Sequence, residues 1–239
     1  MQDTRSGGHY ETAHLVERQM LFREARERIV QEAVRGVRSS RYRFVTVSRE
    51  PGSLGADIVQ ELAGLLSWHV YDREILESIA LNANVRHRLV EQLDERAQNL
   101  VHETVQRFLR MAEGGSFGIE EYHDGLLRTL AGLAAKGEAI LVGRGANFVL
   151  RGHENGLHVR IIASEEARVD RLCRRWDVSA TEALRRMREI DLVRGNFIRA
   201  HFKHDIGDPR FYDLVLNTDH LAPRQAVGII IGGMLAERG

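Results

Sequence analysis

The stretch that decides the fold is residues 42–66, YRFVTVSREPGSLGADIVQELAGLL. Residues 44–48 are short, apolar and β-branched, which predicts a buried strand. The turn residues 50–55 cannot continue that strand. Over residues 56–66 apolar side chains recur every three or four positions, which predicts a helix. The stretch therefore predicts a strand, a glycine-containing loop and a helix in immediate succession.

The rest of the chain repeats this alternation of strands and helices. Further strands are predicted at residues 68–71, 139–143, 157–163 and 213–217. Helical patterns cover residues 72 onward, 85–112, 120–135 and 222–237, with a glycine-rich break at 114–118. Alternation of this kind predicts an α/β fold of three layers, in which helices cover both faces of a parallel sheet. Ligands in such sheets bind at the carboxyl ends of the strands.

Residues 1–41 are predicted to be a helical extension that precedes the α/β domain of residues 42–239. Apolar residues recur at helical spacing from Leu15 to Val37, among arginines and glutamates. Such a helix needs a surface for its apolar stripe. Docking on its own domain and pairing in a homodimer both satisfy that need, and the sequence leaves the two open.

Composition excludes several classes of protein. The chain has 239 residues, with 34 basic and 34 acidic side chains and a net charge of +0. This balance argues against a general nucleic-acid-binding protein, and the absence of an apolar run of about 20 residues argues against a membrane span. Cys173 is the single cysteine, which excludes an intramolecular disulfide framework. We expect a cytoplasmic protein without a membrane or nucleic-acid partner, in which arginine rather than lysine supplies most positive charge.

The loop at residues 50–55 has the architecture of a phosphate-binding loop. Free backbone N–H groups and the helix dipole at the start of the following helix favour an anion. A Walker A loop also carries a lysine followed by Ser or Thr. Here Gly55 falls at the lysine position, and neither Ala56 nor Asp57 supplies the hydroxyl. An ordinary β–α turn that uses glycine for tightness fits the same residues.

Four separated motifs resemble the cytidylate kinase-like family. They are VSREPGSLG at 47–55, VYDRE at 70–74, ILVGRGA at 140–146, and GDP with YDLVLNT at 207–218. The resemblance runs from about residue 44 to the C-terminus, with the motifs in the family's order. It implies a P-loop nucleoside monophosphate kinase fold that transfers the γ-phosphoryl group of ATP to CMP or dCMP with Mg²⁺.

The resemblance also implies roles for residues at the loop. It implies ATP binding by the segment from Arg49 to Asp57, through Arg49, Gly52, Ser53, Gly55 and Asp57. Ser53 and Asp57 are the candidates for the Mg²⁺ site.

A second set of candidates lies in residues 168–205, which the resemblance identifies as the lid. Nine arginines and five acidic residues occupy 168–199. The resemblance implies that Arg171 and Arg175 reach the ATP phosphates, that Asp191 and Arg194 contact the acceptor, and that the three arginines are catalytic. A solvated helix with ion pairs four residues apart accounts for the same pattern.

The acceptor site is predicted after the second and third strands. Arg144 stands between two glycines that let the backbone approach a ligand, and the resemblance implies that it binds the acceptor nucleotide. Asp72 and Arg73 lie near the acceptor by the same resemblance. A structural ion pair at Arg144 and an N-cap at Asp72 are the alternatives.

This loop departs from the family pattern at two positions. Leu54 stands at a glycine, and Ala56 stands at an arginine that could replace the Walker lysine. Phosphoryl transfer depends on neutralising developing charge. A second hypothesis follows, in which the chain is a regulatory pseudo-kinase that keeps the nucleotide pocket and has lost the chemistry.

Overall fold

The sheet consists of five parallel strands, in a computed structural model that describes residues 7–112 and 121–236. The strands are β1 (Phe44–Arg49), β2 (His69–Tyr71), β3 (Ala139–Val142), β4 (Gly156–Ile162) and β5 (Leu214–Asn217). Their order across the sheet is β2-β3-β1-β4-β5. All pairs are parallel, so the predicted parallel α/β architecture is confirmed.

Ten α-helices lie between and around these strands in the described part of the chain, together with a short 3₁₀ helix, Pro209–Phe211. They are α1 (Gly7–Ser39), α2 (Gly55–Leu66), α3 (Arg73–Leu81), α4 (Ala83–Glu91), α5 (Glu95–Ala112), α6 (Glu121–Lys136), α7 (Ala146–Val149), α8 (Glu165–Trp176), α9 (Ala180–Phe202) and α10 (Pro223–Leu235). None of the helices within residues 7–112 and 121–236 combines the length and apolar character that a membrane crossing requires.

Two apolar cores cover the two faces of the sheet. Val45 and Val47 point to one face, where α2 and α10 pack. Phe44 points to the other face, where α3, α6 and α9 pack. Side chains alternate between the faces of a strand, and burial of both faces explains why β3 is continuously apolar and why residues 44–48 of β1 are all buried. The result is the predicted arrangement of three layers.

The helical pattern over residues 85–112 is wrong as a single helix. The structure has two helices there, α4 and α5, separated by residues 92–94. The break occurs because the Asp94 carboxylate accepts a hydrogen bond from Ala97 N at 2.8 Å and so caps a new helix. The predicted glycine-rich break at 114–118 lies outside the described residues.

Among the described side chains of α1, which begin at residue 18, those of its last turns pack on the domain. Val37 is buried in the core beneath α2 and α10, and Ala33 and Val34 pack partly against it. The side chains of residues 18–29 are exposed. Docking on its own domain is therefore observed for the C-terminal end of α1, and the division at residue 41 remains a prediction.

Helices α8 and α9 form a hairpin with a small core of their own. Leu172 on α8 packs with Ala183 and Met187 on α9. Ser164 and Ser179 cap the two helices through their side chains, which is a common way to begin a helix. This hairpin is the segment predicted as a lid, and its movement as a lid stays a prediction.

Candidate active site

The loop between β1 and α2 is a tight turn held against α8. The Ser53 hydroxyl is buried and donates a hydrogen bond to Glu50 O at 2.8 Å. Gly52 has φ +79°, and a Cβ there would lie 2.7 Å from Arg168 O. Glycine is therefore required at 52, both for the left-handed backbone and for the close approach to α8.

Three arginines bind the carbonyl oxygens of this loop. Arg168 Nε donates to Pro51 O at 2.8 Å, Arg171 Nη1 to Gly52 O at 3.2 Å, and Arg194 Nη1 to Arg49 O at 2.7 Å.

These hydrogen bonds pair the carbonyl groups of the loop with positively charged donors. Leu54 is the N-cap residue of α2, and its side chain makes no hydrogen bond to the N–H groups of the helix. The first N–H groups of a helix lack partners within the helix. The loop therefore leaves backbone donors for an anion, and the binding of an anion there remains a prediction.

A buried charge network lies behind the loop. The Glu50 carboxylate is 3.2 Å from Arg160 Nη2 and 3.4 Å from Arg168 Nη1, and it also accepts from Ala163 N at 3.2 Å. Arg168 forms a further ion pair with Asp191 on α9. The network connects the loop to β4, α8 and α9, and it holds the loop in one position.

Two cavities open at the carboxyl edge of the sheet. The first, here called the loop cavity, has a volume of about 840 Å³ and is lined by the loop, the start of α2 and the arginines of α8. The second, here called the Arg144 cavity, has a volume of about 550 Å³ and lies between β3, α3 and α9. Arg49, Ile190 and Arg194 line both cavities, so the two adjoin.

Arg49 and Arg194 place positive charge at this junction. Burial and the neighbouring Arg175 lower the pKa of Arg49, against the opposing effect of Asp72 and Asp57. Burial and the charge of Arg49 lower the pKa of Arg194 to about 10. Both remain charged at neutral pH, and within the described residues neither forms an ion pair with a carboxylate. An anion at the junction would relieve their repulsion.

Arg144 lines its cavity and also has a partner. It forms an ion pair with Glu77, and its guanidinium carbon lies 4.4 Å from the centroid of the Phe197 ring. Its backbone has φ +52°, and its Nε is buried without a hydrogen-bond acceptor in the described structure. The predicted ligand contact and the alternative ion pair are thus compatible, because Glu77 leaves part of the guanidinium unbonded.

The other candidates for the acceptor site are Asp72, Arg73 and Asp191, and they differ in their contacts with the protein. Asp72 caps α3, since its Oδ1 accepts from Glu74 N and Ile75 N at 3.1 Å each, and it also lines the Arg144 cavity. Arg73 lines that cavity and is exposed. Asp191 does not line it, because its carboxylate pairs with Arg168.

The candidates for the loop cavity differ in exposure and in how far their side chains are bonded to the protein. Gly52, Gly55, Asp57 and Arg175 line the cavity together with Arg171. Arg175 is exposed. The guanidinium of Arg171 donates to Thr218 O at 2.7 Å as well as to Gly52 O, so it is bonded mainly to protein. The catalytic role of each arginine remains a prediction.

The two Mg²⁺ candidates are not equivalent. Asp57 is exposed in the first turn of α2 and lines the loop cavity. Mg²⁺ is commonly held by one or two carboxylates together with substrate phosphates, and Asp57 fits that role. Ser53 does not fit in this conformation, because its hydroxyl is buried and donates to Glu50 O.

The sequence reasoning missed Glu50, Arg160, Arg168 and Thr218. A signal was present for Arg160, since it is a charged residue within the otherwise apolar strand β4. Buried charges need partners, which makes such a residue a marker of an ion-pair network. For Arg168 no signal was available, because arginines surround it on α8.

Comparisons with known proteins agree with this architecture. The profile of the cytidylate kinase-like family matches residues 44–220. A crystal structure of an uncharacterized protein from Eubacterium ventriosum is similar in fold, with a TM-score of 0.62 and 21% identity over 80% of this chain and 97% of that one.

Shikimate kinase from Acinetobacter baumannii, solved in complex with shikimate, superimposes with a TM-score of 0.42 and 14% identity, over 81% of this chain and 93% of that one. No curated protein matches the chain significantly. The family match covers well over half of the sequence. The chain therefore belongs to the cytidylate kinase-like family and is a nucleotide kinase-like protein.

Proposed function

We propose that this protein transfers the γ-phosphoryl group of ATP to CMP or dCMP, with Mg²⁺ as the metal ion. The observation that carries the proposal is the pair of adjoining cavities that share Arg49 and Arg194. A kinase must bind a donor and an acceptor next to each other, with positive charge where the transferred group passes.

The loop cavity is the proposed donor site. The first N–H groups of α2 and the exposed Arg175 would bind the phosphates of ATP. Asp57 would hold Mg²⁺, which neutralises charge on the phosphate oxygens. The apolar side chains of Leu172 and Trp176 also line this cavity and would contact the less polar part of the nucleotide.

The Arg144 cavity is the proposed acceptor site. Arg73 and Arg144 would bind the phosphate of the acceptor nucleotide, and Asp72 would interact with it at the edge of the cavity. Val193, Phe197 and Ile198 give the cavity an apolar wall against which a base can pack. This division of polar and apolar lining is usual for small-molecule sites.

Transfer would take place at the junction of the cavities. A phosphate oxygen of the acceptor attacks the γ-phosphorus, the bond to the bridging oxygen breaks, and ADP leaves with the electron pair. Arg49 and Arg194 would stabilise the charge that develops on the phosphoryl oxygens. The acceptor phosphate is already ionised, so no strong base is needed.

An ADP-release assay with CMP, dCMP, UMP and AMP as acceptors tests the proposal. We expect turnover that depends on Mg²⁺ and is fastest with CMP or dCMP. Folded protein without acceptor-dependent turnover would contradict it. A preference for UMP or AMP would support kinase activity and contradict CMP or dCMP as the acceptor.

Arg194→Met provides a sharper test of the junction. We expect kcat/KM to fall by about 100- to 1000-fold, on the scale of losing one donor to a developing oxyanion. Arg199→Met is the matched control, because Arg199 is exposed on the same helix and bonds Asn196 at 2.8 Å. Equal rates for the two variants would remove Arg194 from the mechanism.

The pseudo-kinase remains the second candidate, and the loop favours it in one respect. Leu54 and Ala56 contribute no cation at the loop cavity, and Arg171 is bonded to Thr218 and the loop. This candidate predicts saturable binding of CMP or ATP by calorimetry without turnover. It fails if Arg144→Ala leaves that binding unchanged. The homodimer predicted through the N-terminal helix is a separate proposal.

A further inference from the structure

The unpacked part of α1 exposes large apolar side chains. Met20, Leu21, Phe22 and Ile29 are 59–69% exposed. Helices in proteins owe most of their stability to the packing of an apolar face, and grouped exposed apolar residues usually mark a binding surface. A partner for this part of α1 is therefore expected.

One side of the helix gathers the residues relevant to such a partner. Arg18, Leu21, Ala25, Ile29 and Glu32 follow one another at spacings of three or four residues, which places them on one face. Val37, which docks on the domain, lies roughly 120° around the helix from that face. Among the described side chains, the core contacts of α1 begin at Ala33, so the residues from Arg18 to Ile29 lie before the docked turns.

The sequence of this face is complementary to itself about Ala25. Leu21 and Ile29 are equidistant from Ala25 and both apolar, and Arg18 and Glu32 are equidistant and opposite in charge.

This symmetry decides the orientation of a pair of helices. In an antiparallel pair that crosses at Ala25, equidistant residues lie at the same level, so Arg18 meets Glu32 and Leu21 meets Ile29. In a parallel pair each residue meets its own copy, and Arg18 and Glu32 would both meet like charges. Like charges across an interface are unfavourable.

We propose that a second copy of this chain covers the face, through antiparallel pairing of two α1 helices that cross near Ala25. The helix reaches about 20 Å from Ala25 to Ser39 at 1.5 Å per residue. The two kinase-like domains would therefore lie at opposite ends of the pair. The proposal does not rest on the proposed function, because α1 precedes the matched residues 44–220.

Light scattering and sedimentation of the full-length protein test the dimer. We expect twice the chain mass at micromolar concentration and the mass of one chain for the double variant Leu21→Glu and Ile29→Glu. Arg23→Glu is the control, because Arg23 lies on the far side of the helix and pairs with Glu27 at 3.0 Å within it. A wild-type protein that stays monomeric, or a dimer that the double variant does not weaken, overturns the proposal.

Charge exchange tests the orientation. Arg18→Glu alone should weaken the dimer by about tenfold or more, since two carboxylates then face each other at each end of the pair. Adding Glu32→Arg to the same chain should restore it. In a parallel pair neither change would alter the sign of the contacts, so an unaffected single variant overturns the antiparallel arrangement. Circular dichroism checks that each variant keeps its helix content, and unchanged ADP release would show that the effect is confined to assembly.

Discussion

The two edges of the sheet bury polar groups in different ways. At the carboxyl edge, Arg160 and Arg168 are buried as ions against Glu50. At the amino edge, buried His153 and His158 hydrogen-bond to threonine hydroxyls at 2.8 Å each, His153 to Thr104 and His158 to Thr46.

The polar groups at both edges are buried, so the difference between the edges lies in the charge of these groups. Burial, with the charges of Arg107 and His158, lowers the pKa of His153 to about 4, so it is neutral at neutral pH. The arginines of the carboxyl edge form ion pairs with Glu50 and Asp191. The protein therefore keeps ions at the edge where phosphates are proposed to bind and a neutral imidazole at the other.

The largest expected effect comes from removing the buried ion pairs of Arg168 at the carboxyl edge of the sheet. Arg168→Met should lower the free energy of unfolding by about 3 kcal/mol, because Asp191 and the loop carbonyl of Pro51 lose a buried partner. Glu50 keeps Arg160, which limits the loss. Urea denaturation at pH 7 measures the change.

Arg174→Met is the matched control on the same helix. The ion pair of Arg174 with Asp170 is exposed, and exposed pairs contribute at most about 1 kcal/mol. Similar losses for the two variants would mean that the network around Glu50 does not stabilise the fold.

The amino edge should respond to acid. The pKa of His153 is lower in the folded protein than the usual 6.5, so the unfolded chain binds a proton first as the pH falls. Stability from this group is complete above about pH 6.5 and is lost as the pH falls towards 4, by about 2 kcal/mol between pH 7 and pH 5.

His153→Gln isolates this contribution, since glutamine keeps a donor for Thr104 and does not titrate. Urea unfolding at pH 7 and pH 5 should show a smaller loss on acidification in the variant than in the wild type. If the two proteins lose the same stability, protonation of His153 is not the cause.

The smallest expected effect comes from adding a positive charge to the loop cavity at the carboxyl edge of the sheet. Ala56 lines the loop cavity at the position where the family pattern has an arginine. Ala56→Arg should raise kcat/KM for acceptor phosphorylation by about tenfold, because a further cation faces the ATP phosphates. Gln60→Arg, at an exposed position of the same helix outside the cavity lining, controls for net charge, and an equal gain from both variants would contradict a local effect.

The sequence predicted the fold well, because periodicity reports local structure directly. The apolar runs around Val45 and Ile140 predict strands buried on both faces, and Gly52 lies in the turn that follows β1. The break between α4 and α5 was not predicted, because it depends on Asp94, which caps a helix within a continuous helical pattern. A side chain that serves a helix end is indistinguishable in sequence from one on a helix surface.

The site was harder to predict, because residue type does not reveal a partner. Arg49, Arg144, Arg175 and Arg194 line the two cavities, and their roles remain predictions. Ser53 and Asp191 do not, since one is bonded to the loop and the other to Arg168. Only long-range geometry decides which arginines face a ligand and which bind the protein itself.

The bonds from α8 to the loop also determine how the hairpin is able to move. Arg168 and Arg171 attach the first two turns of α8 to Pro51 and Gly52, and Gly52 leaves no room between them. Those turns and the loop form one rigid base. A closure over a bound nucleotide would therefore have to bend beyond Arg171, and Arg175, which forms no ion pair within the described residues, would move with the outer part of the hairpin.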